Sequence, residues 1–228
     1  MSPSPAQSLV ERLAQLKIVP VIVIDDPAAA SALAGALVDG GLPCAEVTFR
    51  TAAAGEALRR MSDSAPDLLL GAGTVLSVAQ AREARAAGAT FIVAPGFNPA
   101  VVDHCLEHGI PVFPGVCTPT DIEAALAKGI TTVKFFPAEP IGGIKYLRAI
   151  AAPYTMMRFI PTGGINAENL RSYLAFDRVV ACGGSWMAPA DWIAAKAFDQ
   201  IRDETARALR AARGDAIPAQ TPAGAARS

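Results

Sequence analysis

Charge is scarce in this chain: 18% of its 228 residues are charged, the formal net charge is −1, and no Lys/Arg-rich block occurs. Such a chain has no electrostatic footprint for nucleic acid or an anionic membrane, so a small-molecule partner is expected. Long apolar runs are absent too, none approaching the roughly 20 residues that cross a bilayer. The opening Met-Ser-Pro-Ser-Pro-Ala-Gln-Ser lacks the basic patch and apolar stretch of a secretory signal, and a cytoplasmic location is expected. Cysteine is limited to Cys44, Cys105, Cys117 and Cys182, with no C-x-x-C pair and no ligand spacing to His104 or His108. These read as reduced thiols. The two histidines share a helix face, but Cys-Leu-Glu between them supplies no H-E-x-x-H signature, and neither a metal nor a cofactor is expected.

What is plentiful is apolar residue, 52% of the chain, enough for a large buried core. One compact domain over residues 1–213 is expected, followed by an Ala/Gly/Pro-rich tail over 214–228 read as mobile and without function. Short β-branched or apolar runs alternate with Ala-rich helical segments. The strands fall at Ile18–Ile24, Leu42–Phe49, Asp67–Gly71, Thr90–Ala94, Pro111–Pro114, Thr131–Phe136, Met157–Pro161 and Arg178–Cys182, and the closing helix at Trp192–Arg210. Gly40, Gly88, Gly109 and Gly129 each follow a helix, where a left-handed cap needs a residue without Cβ. Eight βα units in this length point to an α/β fold of the (β/α)8 TIM-barrel type, with an open doubly wound sheet as the alternative. A barrel demands that functional groups come from the carboxyl ends of several strands.

Polar residues stand where a barrel should be apolar. In Ala45-Glu-Val-Thr-Phe-Arg, alternation puts Glu46, Thr48 and Arg50 on one face and Ala45, Val47 and Phe49 on the other. Because the apolar face must meet the helices, the polar row looks inward and needs mutual pairing or a ligand. On the sixth strand the same rule groups Thr132, Lys134 and Phe136. A lysine without a partner in apolar surroundings loses its proton more easily, and only the neutral amine attacks a carbonyl. The competing readings are an outward, snorkelling Lys134 and an inert pair with Glu46. Glycine-bearing turns are expected after the third, seventh and eighth strands, at Gly71-Ala-Gly-Thr-Val, Pro161-Thr-Gly-Gly-Ile and Cys182-Gly-Gly-Ser-Trp. The last two suit a phosphate.

Together with Val19-Pro-Val-Ile, Ala94-Pro-Gly-Phe-Asn, Pro114-Gly-Val-Cys-Thr-Pro and Val133-Lys-Phe-Phe-Pro-Ala-Glu, these motifs resemble the 2-keto-3-deoxy-6-phosphogluconate (KDPG) aldolase / 4-hydroxy-2-oxoglutarate aldolase family over roughly Ile18 to Asp191. The resemblance implies a class I, Schiff-base carbon–carbon lyase of the Entner–Doudoroff pathway, releasing pyruvate and glyceraldehyde 3-phosphate, and a homotrimer. It implies that Lys134 forms the imine, that Glu46 shuttles protons, and that Arg50, Thr74 and Thr162 surround the pyruvyl moiety, with Pro95 and Phe136 completing the substrate-binding set. It places the phosphate at Gly163, Gly164, Gly184 and Ser185. The enzyme for the galactonate epimer, a sugar-phosphate isomerase or synthase, and a non-catalytic phosphate-binding barrel are the alternatives.

Overall fold

In the computed structural model, residues 5–215 are described. Their β-segments are β1 (Ile18–Ile22), β2 (Cys44–Thr48), β3 (Leu69–Gly73), β4 (Phe91–Val93), β5 (Val112–Phe113), β6 (Gly115–Val116), β7 (Thr132–Phe135), β8 (Arg158–Pro161) and β9 (Cys182–Gly184). The helices are α1 (Pro5–Leu16), α2 (Ala30–Asp39), α3 (Ala54–Ser64), α4 (Val78–Ala86), α5 (Pro99–Glu107), α6 (Pro119–Ala127), α7 (Gly143–Ala151), α8 (Leu170–Leu174), α9 (Ala190–Ala194) and α10 (Phe198–Arg213).

All named strand pairs are parallel. One arc runs β5-β4-β3-β2-β1-β9 and the other β6-β7-β8. Segments β5 and β6 are halves of one stave interrupted at Pro114, which has no N–H to give to a ladder. One half pairs with β4 and the other with β7. On the far side, single bridges at Phe159↔Val179 and Thr162↔Gly183 join β8 to the β9 stave. With β5 and β6 taken together, the described residues form a closed ring of the eight expected staves.

Strand alternation splits the apolar residues into two layers. Ala45, Val47, Leu70, Ala72, Ile92, Val133 and Phe135 face the helices, packing with Leu33, Leu37, Leu58 and Met61. Val19, Cys44, Leu69, Phe91, Val93, Phe113 and Ile160 fill the ring from within, against Leu9, Val10 and Leu13 of α1. Helix α1 therefore plugs the ring. The βα loops carry local stop and start signals: Asn98 and Thr118 cap α5 and α6 through their side chains, each followed by proline in the first turn.

Several expectations shift. The third and eighth strands lie later than expected, ending at Gly73 and Gly184. The expected closing helix is broken between Ala194 and Phe198, where Lys196 has φ 57°. Gly40 is right-handed at φ −71°, and the left-handed residue is Gly41 at φ 83°. Gly40 is small for another reason: a Cβ there would lie 2.8 Å from the Arg202 carbonyl oxygen and from Thr205 of α10. Gly88, Gly109 and Gly129 do hold positive φ. Gly214 caps α10, and the remaining tail beyond Asp215 lies outside the described residues.

Candidate active site

Strand β2 delivers Glu46 and strand β7 delivers Lys134 to the same point inside the ring. Both are buried, at 3% and 5% exposure. Lys134 Nζ donates to Glu46 Oε1 at 3.1 Å, and the ammonium lies 5.3 Å from the centre of the Phe136 ring. The pocket around them is lined by Leu13, Val19, Phe91, Val93, Phe113 and Ile160. Two charges in an apolar well are tolerable because each neutralises the other. The amine is therefore inward and paired; desolvation of an isolated lysine is not what sets its surroundings.

Small residues make that pairing possible. Gly71 and Gly73 lie opposite Glu46 and Thr48 in the β2–β3 register. A Cβ on Gly73 would sit 2.1 Å from Glu46 Oε1, and one on Gly71 2.2 Å from the Phe91 ring. Gly71-Ala-Gly is thus strand, not the turn expected from sequence, and its glycines leave room for a carboxylate and an aromatic ring. Gly183 and Gly184 are likewise in β9, where a Cβ would come 2.3 Å from Thr162 Oγ1 and 1.9 Å from the Trp186 ring respectively. The Gly163–Gly164 pair is a true turn, with φ 101° and 81°.

The other expected residues surround the mouth at different depths. Thr48 is buried but committed to the fold, donating to the Ile22 carbonyl at 2.7 Å. Arg50 does not continue the inward row: β2 stops at Thr48, and Arg50 stands exposed in the following turn, without an ion pair to any described residue. Thr74 follows β3 with φ 55°, a conformation that costs a β-branched residue about 1–2 kcal/mol and persists only where neighbours impose it. Pro95 is half-buried after β4; its carbonyl oxygen would be 2.1 Å from a Cβ on Gly115 of β6. Thr162 is buried, and its Oγ1 has no hydrogen-bond partner among the described residues. Ser185 is exposed at the end of β9.

Sequence reasoning missed the floor of the site. Leu13, Phe91, Val93, Phe113 and Ile160 share the pocket with the ion pair. Alternation along β4 would have placed Phe91 and Val93 inward, and the helical spacing of Leu9, Leu13 and Leu16 was the available signal for α1. No group of three or more His, Cys, Asp or Glu among the described residues is placed to hold a metal. His104 of α5 and His108, which caps that helix, pack ring to ring, with centroids 4.2 Å apart.

A closed parallel (β/α)8 ring with a buried lysine–carboxylate pair inside it belongs to the class I aldolase type of fold. The particular family follows from the comparisons: residues 9–203 match the KDPG and KHG aldolase family, and the chain belongs to it. It is 53% identical over 194 residues to the 2-dehydro-3-deoxy-phosphogluconate aldolase of Treponema pallidum, covering 85% of this chain and 92% of the relative. The KHG/KDPG aldolase of Escherichia coli K12 is 41% identical over 196 residues, covering 86% and 92%. Among solved structures, the KDPG aldolase of Legionella pneumophila, captured with pyruvate as a covalent carbinolamine, superposes with a TM-score of 0.83 at 36% identity, covering 90% of this chain and 97% of that one.

Proposed function

We propose that this protein cleaves 2-keto-3-deoxy-6-phosphogluconate to pyruvate and glyceraldehyde 3-phosphate through a Schiff base on Lys134, and cleaves 4-hydroxy-2-oxoglutarate to pyruvate and glyoxylate at the same site. The observation that carries this reading is the buried 3.1 Å contact between Lys134 Nζ and Glu46 Oε1. A carboxylate at that distance takes the ammonium proton directly, leaving a neutral amine beside the protonated carboxyl of Glu46. The amine attacks the C2 ketone, and loss of water from the carbinolamine gives a protonated imine. Glu46, again a carboxylate once it has protonated the departing hydroxyl, accepts the C4 hydroxyl proton. The C3–C4 bond breaks, its electron pair moves into the enamine, and the aldehyde leaves. Protonation of the enamine at C3 by Glu46 and hydrolysis of the imine release pyruvate.

The binding roles follow from position. Arg50 is exposed at the rim with its guanidinium uncommitted to any described carboxylate, which suits a two-point grip on the substrate carboxylate. The unpartnered Thr162 hydroxyl and Thr74 complete the pyruvyl end, with Pro95 and Phe136 as its walls. Gly163, Gly164, Gly184 and Ser185 form the phosphate end. A single barrel domain, a homotrimeric assembly and a cytoplasmic location belong to the same reading; no helix among the described residues is long and apolar enough to cross a membrane. Light scattering on the purified protein tests the trimer.

The deciding experiment is reductive trapping. Borohydride added with pyruvate is expected to inactivate the protein irreversibly and add mass to the peptide carrying Lys134. Full activity with that peptide unmodified would remove the imine mechanism. Comparing the gluconate- and galactonate-derived substrates tests the epimer assignment, which rests on the phosphogluconate relatives.

A further inference from the structure

The Gly163–Gly164 turn is braced from behind by residues that no substrate contact explains. The Gly163 carbonyl accepts from the Glu139 N–H at 3.0 Å, and the Gly164 carbonyl accepts from Asn169 Nδ2 at 2.9 Å. In a trans peptide the C=O and the following N–H point in opposite directions. Tying back these two carbonyls therefore fixes the N–H groups of Gly164 and Ile165 to face away from the brace.

Behind the turn lies a carboxylate, an unwelcome neighbour for an anion. A Cβ on Gly164 would come within 2.6 Å of Glu139 Cβ, so the glutamate is packed directly against the turn. Its Oε1 accepts a hydrogen bond from the Tyr173 hydroxyl. Tyr173, on α8, is fully buried. Gly143 makes the space: a Cβ there would stand 3.0 Å from Glu139 Oε1 and 3.3 Å from the Tyr173 hydroxyl oxygen. Burial, and then the hydrogen bond to Glu139, push the Tyr173 phenol up, so it remains a donor at neutral pH.

We propose that Asn169, Glu139 and Tyr173 are positioning residues for phosphate recognition: Asn169 and the Glu139 backbone set the direction of the donor N–H groups, and Tyr173 pins the Glu139 carboxylate so that it does not swing toward the bound anion. This rests on the reading that the substrate phosphate lies at Gly163–Gly164. None of the three lines the pocket that holds Lys134 and Glu46, so they are expected to act on one end of one substrate only.

The test uses the full chain with Tyr173→Phe and Asn169→Ala, each assayed with 2-keto-3-deoxy-6-phosphogluconate and with unphosphorylated 4-hydroxy-2-oxoglutarate. Inorganic phosphate serves as a competitive inhibitor. The expected result is a KM for the phosphorylated substrate raised roughly three- to tenfold, the scale of one lost hydrogen bond. Inhibition by inorganic phosphate should weaken in parallel, while kcat and the kinetics of the unphosphorylated substrate hold. Glu139→Gln, which keeps an oxygen acceptor for Tyr173, should retain the KM of the parent. Equal changes with both substrates, or no change with either, overturn the brace. Failure of inorganic phosphate to inhibit the unmodified protein would instead overturn the placement of the phosphate itself.

Discussion

Lys134 and Glu46 each satisfy the other's charge, so neither can be removed alone without consequence. Lys134→Met should abolish turnover and also destabilise the protein by about 3–5 kcal/mol, because it leaves a buried carboxylate unpaired. Changing Glu46 to Gln in the same chain should return much of that loss, since no buried charge then remains. Urea melts of the parent, the single and the double variant check this, and a double variant no more stable than Lys134→Met would deny that the pair is coupled. Gly73 offers a gentler perturbation of the same contact. A methyl group in Gly73→Ala would begin 2.1 Å from Glu46 Oε1 and must push the carboxylate aside. Displacement of a catalytic group by about 1 Å costs on the order of a hundredfold. The expected outcome is therefore a kcat depressed to that degree and borohydride trapping of pyruvate slowed with it, since Glu46 also serves imine formation; parental kcat would mean that Glu46 is not the proton carrier.

The loops between elements are where local chemistry fixes the rim of the site, and α6 shows how. Its capping box is closed by Thr118 and Asp121, and Asp121 Oδ2 also accepts from the Cys117 N–H at 3.0 Å. Partial burial pushes the Asp121 carboxyl up, but donation from Cys117 and Thr118 outweighs it and holds the group below its ordinary value of 3.8. A carboxyl depressed in the folded state contributes stability that is present above the unfolded pKa and is lost as pH falls through the folded one. Asp121→Ala should thus cost about 1 kcal/mol at neutral pH, a typical cap contribution. Melts carried from neutral pH downward should show the gap closing as the folded-state carboxyl takes up its proton; a gap independent of pH would assign the loss to packing.

The strands were readable in the sequence because their signal is local: period-two alternation gave β2 and β7 their inward faces. What alternation could not deliver was where a strand stops, so Arg50 was carried one step too far inward. Nor could it separate glycines needed for positive φ, as at Gly163 and Gly164, from those needed for clearance, as at Gly73 and Gly184. That distinction depends on which side chain arrives from a neighbouring strand. Helix α1 went unread because its apolar residues lie ahead of the first βα unit, and only the finished ring reveals a hole for Leu13 to fill.

For the whole molecule, the uneven closure of the ring matters most. The β6-β7-β8 arc joins the longer arc through a stave broken at Pro114 on one side and through isolated bridges at Phe159↔Val179 and Thr162↔Gly183 on the other. Lys134 sits in the shorter arc and Glu46 in the longer, so their ion pair spans the interior between them. Local opening free energies follow the density of ladder bonds and buried contacts, and sparse seams open first. Amide hydrogen exchange should accordingly find Val133, Phe135 and Ile160 less protected than Ala45, Val47 and Leu70, although all are buried. Lys134→Met should widen the difference by removing the strut between the arcs, and covalent capture of pyruvate on Lys134 should narrow it by adding substrate contacts from both. Uniform protection around the ring, unmoved by either change, would show that the seams are as strong as the ladders and that the ion pair carries no mechanical role beyond its chemistry.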